Sequence, residues 1–344
     1  MVRRSLLAVL AATALALSAC GASAGTGDGA GRAADAAGSG DGDGPGAPVS
    51  IDHAFGSTEI PAGASDVVTL GWGSTEAALA LGVVPVGIEA QTYAVDDNGL
   101  LPWVNEELAH LGAEPAILPA NVEEPAYEDI DALSPDLILA PYSGLTDEQY
   151  QILSEIAPTV AYPDQPWTTP WREVIEIVGT SLSMPGEAAE LVTELDDTLA
   201  AVTQEHPELQ GLTVAAIWDV GGTFYVYKPA DSRVDFLLDL GLTSAPSVEE
   251  LDGGGESFVY ALSYESTDAI DADILVNYAS TGEEVQTFLD QSYAQVIPAV
   301  QRGAVAHITG DQLIAAMSPP TALSLTWGLE EYVDSISAAA ANAR

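Results

Sequence analysis

One long amphipathic helix pattern divides the chain into two parts. Four apolar residues follow one another at intervals of four, four and three positions: Leu191, Leu195, Leu199 and Val202. Residues with this spacing lie along one face of a helix. Pro185 suits a first helical turn, whereas Pro207 cannot continue a helix. The pattern predicts a helix over 184–206, about 21 residues at ~1.5 Å each, which makes a rod of roughly 30 Å.

Two segments, one on each side of this helix, are similar. Residues 127–139 and 264–276 share Tyr, Glu, Asp, Ala and Asp in register, and four further positions are apolar in both. Internal similarity of this kind indicates two units of one design. We therefore predict an N-terminal lobe over 49–183, the linking helix over 184–206 and a C-terminal lobe over 207–344.

Strand and helix patterns alternate within both predicted lobes. In the first, a buried strand over 67–70, a helix over 76–81 and a second strand over 84–88 follow one another. This β-turn-α-β order predicts a parallel sheet with helices on its faces. The segments 93–103 and 277–281 are interpreted as loops. The fold class is thus α/β: two α/β lobes, each with a mainly parallel sheet, joined by one long rigid helix.

The first 48 residues are not expected to belong to either lobe. Residues 1–20 combine an early Arg pair, an apolar stretch and small residues ending at Cys20, an arrangement typical of a signal peptide. It resembles a bacterial lipoprotein signal, in which Cys20 becomes the lipidated first residue; the alternative is an ordinary secretory signal. Residues 21–48 are rich in Gly, Ala and Asp and are expected to form a flexible tether.

Charge and cysteine content exclude several functions. The formal net charge of the chain is −44, so binding to nucleic acid or to anionic lipid through a basic face is excluded. From residue 49 onward the basic side chains are Arg172, Lys228, Arg233, Arg302 and Arg344. Cys20 is the single cysteine, which leaves no thiol for disulfides or for catalysis in the mature lobes.

A ligand cleft is expected at the carboxyl ends of the strands, where open α/β sheets bind ligands. Aromatic, hydroxyl and basic side chains occur at or near these ends in both lobes. The candidate ligand-binding residues are Trp72, Ser74, Tyr93, Trp103, Tyr142, Ser143, Trp218, Tyr225, Lys228, Arg233 and Tyr278. Such a cleft suits a bulky, partly apolar ligand. The alternative is that these aromatic residues fill the cores of the lobes.

No catalytic or metal-binding constellation is apparent in the sequence. None of the four histidines lies on a candidate loop, so we expect no metal site and no cofactor. The formal G-x-S-x-G match at 21–25 lacks the strand and helix that a nucleophile elbow needs. An extracellular α/β hydrolase remains the competing hypothesis, with His307 as the histidine near a strand end.

Several segments together resemble substrate-binding lipoproteins of iron–siderophore importers of the ABC class, in the superfamily that also binds haem and cobalamin. The similarity spans about 67–336. The matching segments are LGWGSTE (70–76), LGV (81–83), PVGI (85–88), IDALSPDLI (130–138), IAPTV (156–160) and FLLDLG (236–241). The resemblance implies a class III periplasmic-binding-protein fold and no enzymatic activity.

The resemblance also implies partners. One acid in each lobe would pair with arginines of a permease dimer, and the matching residues are Glu128 and Glu265; the alternative is that both only favour helix starts. A scarcity of cations favours a neutral or cationic hydroxamate chelate over an anionic one, with haem and cobalamin still open. We expect a monomer, anchored through Cys20 at the outer face of the cytoplasmic membrane.

Overall fold

The computed structural model describes residues 48–120, 124–255 and 258–343. The expected signal peptide, Cys20 and the tether up to residue 47 lie outside the described residues. Within the described ranges, no helix is both long enough and apolar enough to cross a lipid bilayer.

Thirteen strands occur in the described residues. They are β1 (Val49–His53), β2 (Gly56–Ile60), β3 (Val67–Thr69), β4 (Gly87–Glu89), β5 (Ala116–Leu118), β6 (Leu137–Leu139), β7 (Thr159–Val160), β8 (Thr213–Val220), β9 (Thr223–Tyr227), β10 (Thr243–Ser244), β11 (Val259–Leu262), β12 (Ile274–Ala279) and β13 (Val305–Thr309).

Twelve α-helices occur in the same residues. They are α1 (Ser74–Ala80), α2 (Pro102–Leu111), α3 (Tyr127–Ala132), α4 (Asp147–Ile156), α5 (Trp171–Ser181), α6 (Pro185–Glu205), α7 (Ser232–Asp239), α8 (Pro246–Glu250), α9 (Gly282–Leu289), α10 (Pro298–Arg302), α11 (Asp311–Ala316) and α12 (Ser324–Ala340). Two short 3-10 helices cover Pro207–Leu209 and Tyr264–Ala269.

The sheet of the N-terminal half is parallel throughout. Its strand order is β5-β4-β3-β6-β7, and Val68 of the central strand pairs with Gly87 on one side and Ile138 on the other. All three residues of β3 are fully buried, as expected for a parallel strand covered by helices on both faces. A separate antiparallel hairpin, β1–β2, precedes this sheet.

The sheet of the C-terminal half is mixed, so the expectation of a mainly parallel sheet holds better for the first half than for the second. Its order is β11-β9-β8-β12-β13, with β10 beside β8. β8 and β9 form an antiparallel hairpin. Gly221 and Gly222 both have positive φ, 60° and 78°, which a two-residue hairpin turn of type I′ requires.

The linking helix is present as α6, between the last strand of the first sheet and the first strand of the second. Ala188, Leu195 and Leu199 are its buried residues. Gly179 of α5 allows close packing here, because a Cβ at that position would lie 2.2 Å from the Cβ of Ala188. The lobe boundaries proposed from the sequence stay predictions.

Two of the expected loops are present but shorter than predicted, over 93–101 and 280–281. Trp103 does not end an irregular loop but lies in the first turn of α2, which begins at Pro102. Residues 277–279 continue β12 and pair with β13 up to Thr309. In both cases long-range packing decides the element: Trp103 contacts Glu76 of α1, and β12 is buried between two parallel neighbours.

Candidate functional site

A cleft opens between the strand ends of the first half and helix α7 of the second. Trp72 follows β3, Tyr142 follows β6, and both face the start of α7. The cleft holds a cavity of about 260 Å³. It is lined by Trp72, Tyr142, Trp167, Ala230, Asp231, Ser232, Arg233, Phe258 and Ser318.

The backbone around Trp72 is held in position by two glycines. Gly71 and Gly73 have φ of 75° and 79°, a region that disfavours side chains. A Cβ at Gly71 would lie 2.3 Å from the carbonyl oxygen of Tyr142, while the Trp72 N–H donates to that oxygen at 3.0 Å. The GWG sequence therefore places Trp72 and Tyr142 side by side at the cleft.

Hydrogen bonds from Trp72 and from Tyr93 cross the cleft. The Trp72 indole N–H donates to the carbonyl oxygen of Pro319 at 3.3 Å, and the Tyr93 hydroxyl donates to Oδ1 of Asp311 at 3.1 Å. Burial raises the pKa of Tyr93 well above its usual value, and the nearby Asp311 carboxylate raises it further. Tyr93 therefore stays protonated and keeps its role as a donor.

A buried ion pair lines the cavity on the side of α7. Nε of Arg233 lies 2.8 Å from Oδ1 of Asp231, and Nη2 lies 3.0 Å from Oδ2. The exposed fractions of the two side chains are 17% and 2%. The guanidinium stacks 4.0 Å above the ring of Tyr227. Burial acts to lower the pKa of Arg233, but the hydrogen bonds and charge of Asp231 outweigh it and raise the pKa.

A second cavity of about 300 Å³ adjoins Trp167 on the N-terminal side. Glu89, Gln91, Ser143 and Gly144 are among its lining residues. Oε2 of Glu89 accepts the Gly71 N–H at 2.7 Å, so this cavity carries a buried carboxylate. Gly144 packs directly against the Trp167 indole, and Trp167 lines both cavities.

Five of the predicted ligand-binding residues lie at or beside the cleft. Trp72, Tyr142 and Arg233 line the first cavity, and Ser143 lines the second. Tyr93 bridges the two sides through Asp311. Burial raises the pKa of Tyr142, so its hydroxyl stays protonated at the cavity wall.

Three of the predicted residues are core residues instead, so their assignment to the cleft is corrected. Ser74, the first residue of α1, is fully buried, and its Oγ donates to the Leu70 carbonyl in the preceding loop. Trp103 is buried and its indole N–H donates to Glu76 at 3.0 Å. Tyr278 is buried and shares a 3.0 Å hydrogen bond with the Tyr332 hydroxyl.

The remaining three lie outside the lining of the first cavity. Lys228 forms an ion pair with Asp252 at 2.9 Å, which ties its ammonium to a neighbouring loop. Trp218 and Tyr225 pair across β8 and β9 and are half-buried. They lie on the same sheet face as Tyr227, whose ring contacts Arg233. They are thus close to the cleft without lining its first cavity, and their role in ligand binding stays a prediction.

Six residues of the cavity lining were not predicted from the sequence: Trp167, Ala230, Asp231, Ser232, Phe258 and Ser318. Trp167 offered a signal, because an exposed aromatic in a Pro-rich turn seldom serves a core. Asp231 offered a different one, since it is the N-cap of α7 and accepts the Arg233 N–H. The others become neighbours only when the two halves meet.

No group of three or more His, Cys, Asp or Glu side chains that could hold a metal ion occurs in the described ranges. Nδ1 of His307, the histidine considered for a hydrolase, accepts a hydrogen bond from Nδ2 of Asn277 at 3.1 Å. Burial lowers the pKa of His307. No serine of the described residues makes a hydrogen bond to this ring.

Comparison with known proteins identifies the family of this chain. Residues 67–312 match the model of the periplasmic binding protein family. The chain belongs to this family. A probable siderophore-binding lipoprotein of Bacillus subtilis, YfiY, is 27% identical over 237 residues, which cover 66% of this chain and 67% of the relative.

Two solved structures are similar over most of the chain. PiaA of Streptococcus pneumoniae in complex with ferrichrome is 34% identical with a TM-score of 0.77, covering 86% of this chain and 99% of PiaA. A periplasmic solute-binding protein of Mycobacterium smegmatis is 27% identical with a TM-score of 0.73, covering 85% and 99%. The resemblance to iron–siderophore substrate-binding proteins is confirmed, and the protein is a binding protein rather than an enzyme.

Proposed function

We propose that this protein binds a ferric siderophore of the neutral or cationic hydroxamate type outside the cytoplasmic membrane and delivers it to an ABC permease. The similarity to YfiY and to PiaA, which was solved with ferrichrome, supports a siderophore ligand. Iron arrives already chelated, so the protein needs only to surround the chelate. It supplies no ligands to the metal.

The composition of the cleft carries this proposal. The cavity lining contains four aromatic residues, which supply broad apolar contact suited to the organic shell of a chelate. They are Trp72, Tyr142, Trp167 and Phe258. Charge at the cavity wall is balanced, because Arg233 is paired with Asp231 in a two-point contact. Three hydroxamates neutralise a ferric ion, so their chelate would meet no unbalanced charge.

The other Lys and Arg side chains in the described residues bind partners outside the cavity lining. Arg172 pairs with Asp196 at 2.7 Å and with Asp239 at 2.8 Å. Lys228 pairs with Asp252, and Arg302 donates to the carbonyl oxygen of Ala272 at 2.7 Å. An anionic tris-catecholate would thus find no surplus positive charge among the described residues of the cavity lining to offset its own charge.

Delivery would use Glu128 and Glu265. Both are exposed, and each is the second residue of a short helix, α3 and the 3-10 helix Tyr264–Ala269. Carboxylates displayed in the same way on two lobes suit a partner with two equivalent arginine-bearing surfaces. We further propose that lipidation at Cys20 anchors the protein to the outer face of the membrane, where it acts as a monomer.

Tryptophan fluorescence titration tests the ligand class. The panel is ferrichrome as a neutral ferric hydroxamate, ferrioxamine B as a cationic one, a ferric tris-catecholate, haem and cobalamin. We expect saturable quenching by the hydroxamates at far lower concentration than by the catecholate, because Trp72 and Trp167 line the cavity. Saturation by haem or cobalamin alone, or by no ferric chelate, would overturn the proposal. Metal-free hydroxamates serve as controls.

A further inference from the structure

The carboxylate of Asp231 does more than cap helix α7. Asp231 is the N-cap of α7, where its Oδ1 accepts the Arg233 N–H at 2.9 Å. A serine or an asparagine would cap the helix equally well. Asp231 instead also spans the guanidinium with both oxygens, at 2.8 and 3.0 Å. It therefore cancels the one positive charge found among the described residues of the cavity lining.

The pairing leaves a hydrogen-bond donor in place while it removes the net charge. Nε and Nη2 of Arg233 are engaged by Asp231, whereas Nη1 makes no hydrogen bond within the described part of the chain. The guanidinium is fixed from below by the Tyr227 ring. Arg233 can then donate to a ligand oxygen from a site whose summed charge is zero.

We infer that Asp231 sets the charge selectivity of the cleft: by neutralising Arg233, it makes the site accept neutral chelates and reject anionic ones. This inference rests on the proposed function. It predicts that the same fold, without this one carboxylate, would present an unbalanced guanidinium to the ligand. Opposite charges in a partly desolvated site attract strongly, and a cationic cleft would favour an anionic chelate.

Asp231→Asn tests the inference, because asparagine keeps the helix cap and the shape of the side chain but removes the charge. The readout is the ratio of the affinity for a ferric tris-catecholate to the affinity for ferrichrome, measured by fluorescence titration. We expect the ratio to rise about tenfold or more at low salt. The gain should shrink at high salt, since ions screen the newly exposed charge.

Asp252→Asn is the matched control. It frees Lys228, whose pair with Asp252 is similarly shielded, with exposed side-chain fractions of 18% and 16%. The net charge of the protein changes by the same amount, but Lys228 lies outside the cavity lining. The affinity ratio should therefore stay at its original value. An equal rise in both variants would mean that overall charge, not Asp231, sets the selectivity, and would overturn the inference.

Arg233→Gln gives a reciprocal test that does not depend on the folding of the first variant. It leaves Asp231 unbalanced, so the affinity for ferrioxamine B should rise relative to that for ferrichrome, even if both fall. Unchanged ratios in both cleft variants, with ferrichrome binding retained by the unaltered protein, would overturn the inference alone. If the unaltered protein binds none of the ferric chelates, the proposed function and the inference are overturned together.

Discussion

The two sides of the cleft are built differently. The N-terminal side presents the aromatic residues Trp72, Tyr142 and Trp167, positioned by loops after parallel strands. The C-terminal side presents the charged pair Asp231–Arg233 at the start of a helix, above the antiparallel strand β9, and a single aromatic residue, Phe258, among the described lining residues. One side thus presents most of the aromatic surface, and the other presents hydrogen-bonding groups whose charges cancel. Selectivity for ligand size and for ligand charge can therefore change independently.

The largest expected effect concerns Glu128 and Glu265, the proposed docking residues of the two halves. Glu128→Arg with Glu265→Arg would put like charges against a permease, and such contacts can cost several kcal/mol at an interface. Import of the iron chelate by cells should fall sharply, further than with either single reversal, while ligand affinity and melting temperature stay nearly unchanged.

Glu190→Arg is the control for this charge reversal, because Glu190 is exposed on the linking helix α6. It changes the net charge as each single reversal does but should leave import intact. Normal uptake by the double variant, in cells that lack the unaltered protein, would show that Glu128 and Glu265 only favour helix starts.

The aromatic side of the cleft is tested by Trp72→Ala. Removing this indole should cost roughly 1–3 kcal/mol of apolar contact and weaken ferrichrome binding by about 5- to 150-fold. The fold should persist, because the indole is only half-buried and lies on a loop. Titration and thermal unfolding measure the two quantities separately.

Trp327→Ala provides the comparison for that variant. Trp327 is an exposed tryptophan of α12, and its indole N–H donates to Glu106 at 3.3 Å, away from the cavity lining. Its removal should leave affinity unaltered. If Trp72→Ala lowers the melting temperature instead of the affinity, Trp72 belongs to the core and the pocket is elsewhere.

The smallest expected effect is a pH dependence of stability. His53 is buried, and the Phe55 N–H donates to its Nδ1 at 3.2 Å, so this nitrogen must stay unprotonated. Burial lowers the pKa of His53, with Asp52 acting in the opposite direction, and burial lowers the pKa of His307 in the second sheet. When the pH falls below about 6.5, these two histidines therefore take up protons in the unfolded chain before they do so in the folded protein.

The free energy of unfolding should thus decrease between pH 7 and pH 5.5, by at most about 1.4 kcal/mol per pH unit for each histidine. Urea unfolding across this range measures it. His53→Gln and His307→Gln should each flatten part of the curve, which would show how the two halves share the effect. If both variants show the same pH dependence of stability as the unaltered protein, carboxylates rather than these histidines cause it.

Much of the fold could be predicted because local signals agreed with the final packing. The apolar spacing around Leu195 predicted α6, and Thr146 with Gln149 forms the capping box that starts α4. The hairpin β1–β2 was not predicted, and β5 is too short at three residues to show a pattern. Such strands are stabilised by their neighbours more than by their own residues.

The candidate site was predicted less completely, for a physical reason. Trp72 and Trp103 are both tryptophans beside loops, yet one lines the cleft and the other bonds to the buried Glu76. Burial raises the pKa of Glu76, although the Trp103 indole acts in the opposite direction. No local pattern distinguishes an aromatic residue that faces a cavity from one that fills a core.

The sequence by itself determined the two-part α/β architecture, the linking helix and the absence of thiol chemistry, because these depend on periodicity and composition. The tertiary structure alone decided which aromatic residues face the cleft and that Arg233 is neutralised by Asp231. It also brought Tyr93 to Asp311, more than two hundred positions away in sequence. Contacts across the cleft depend on how two folded halves meet, and short-range patterns carry no information about that.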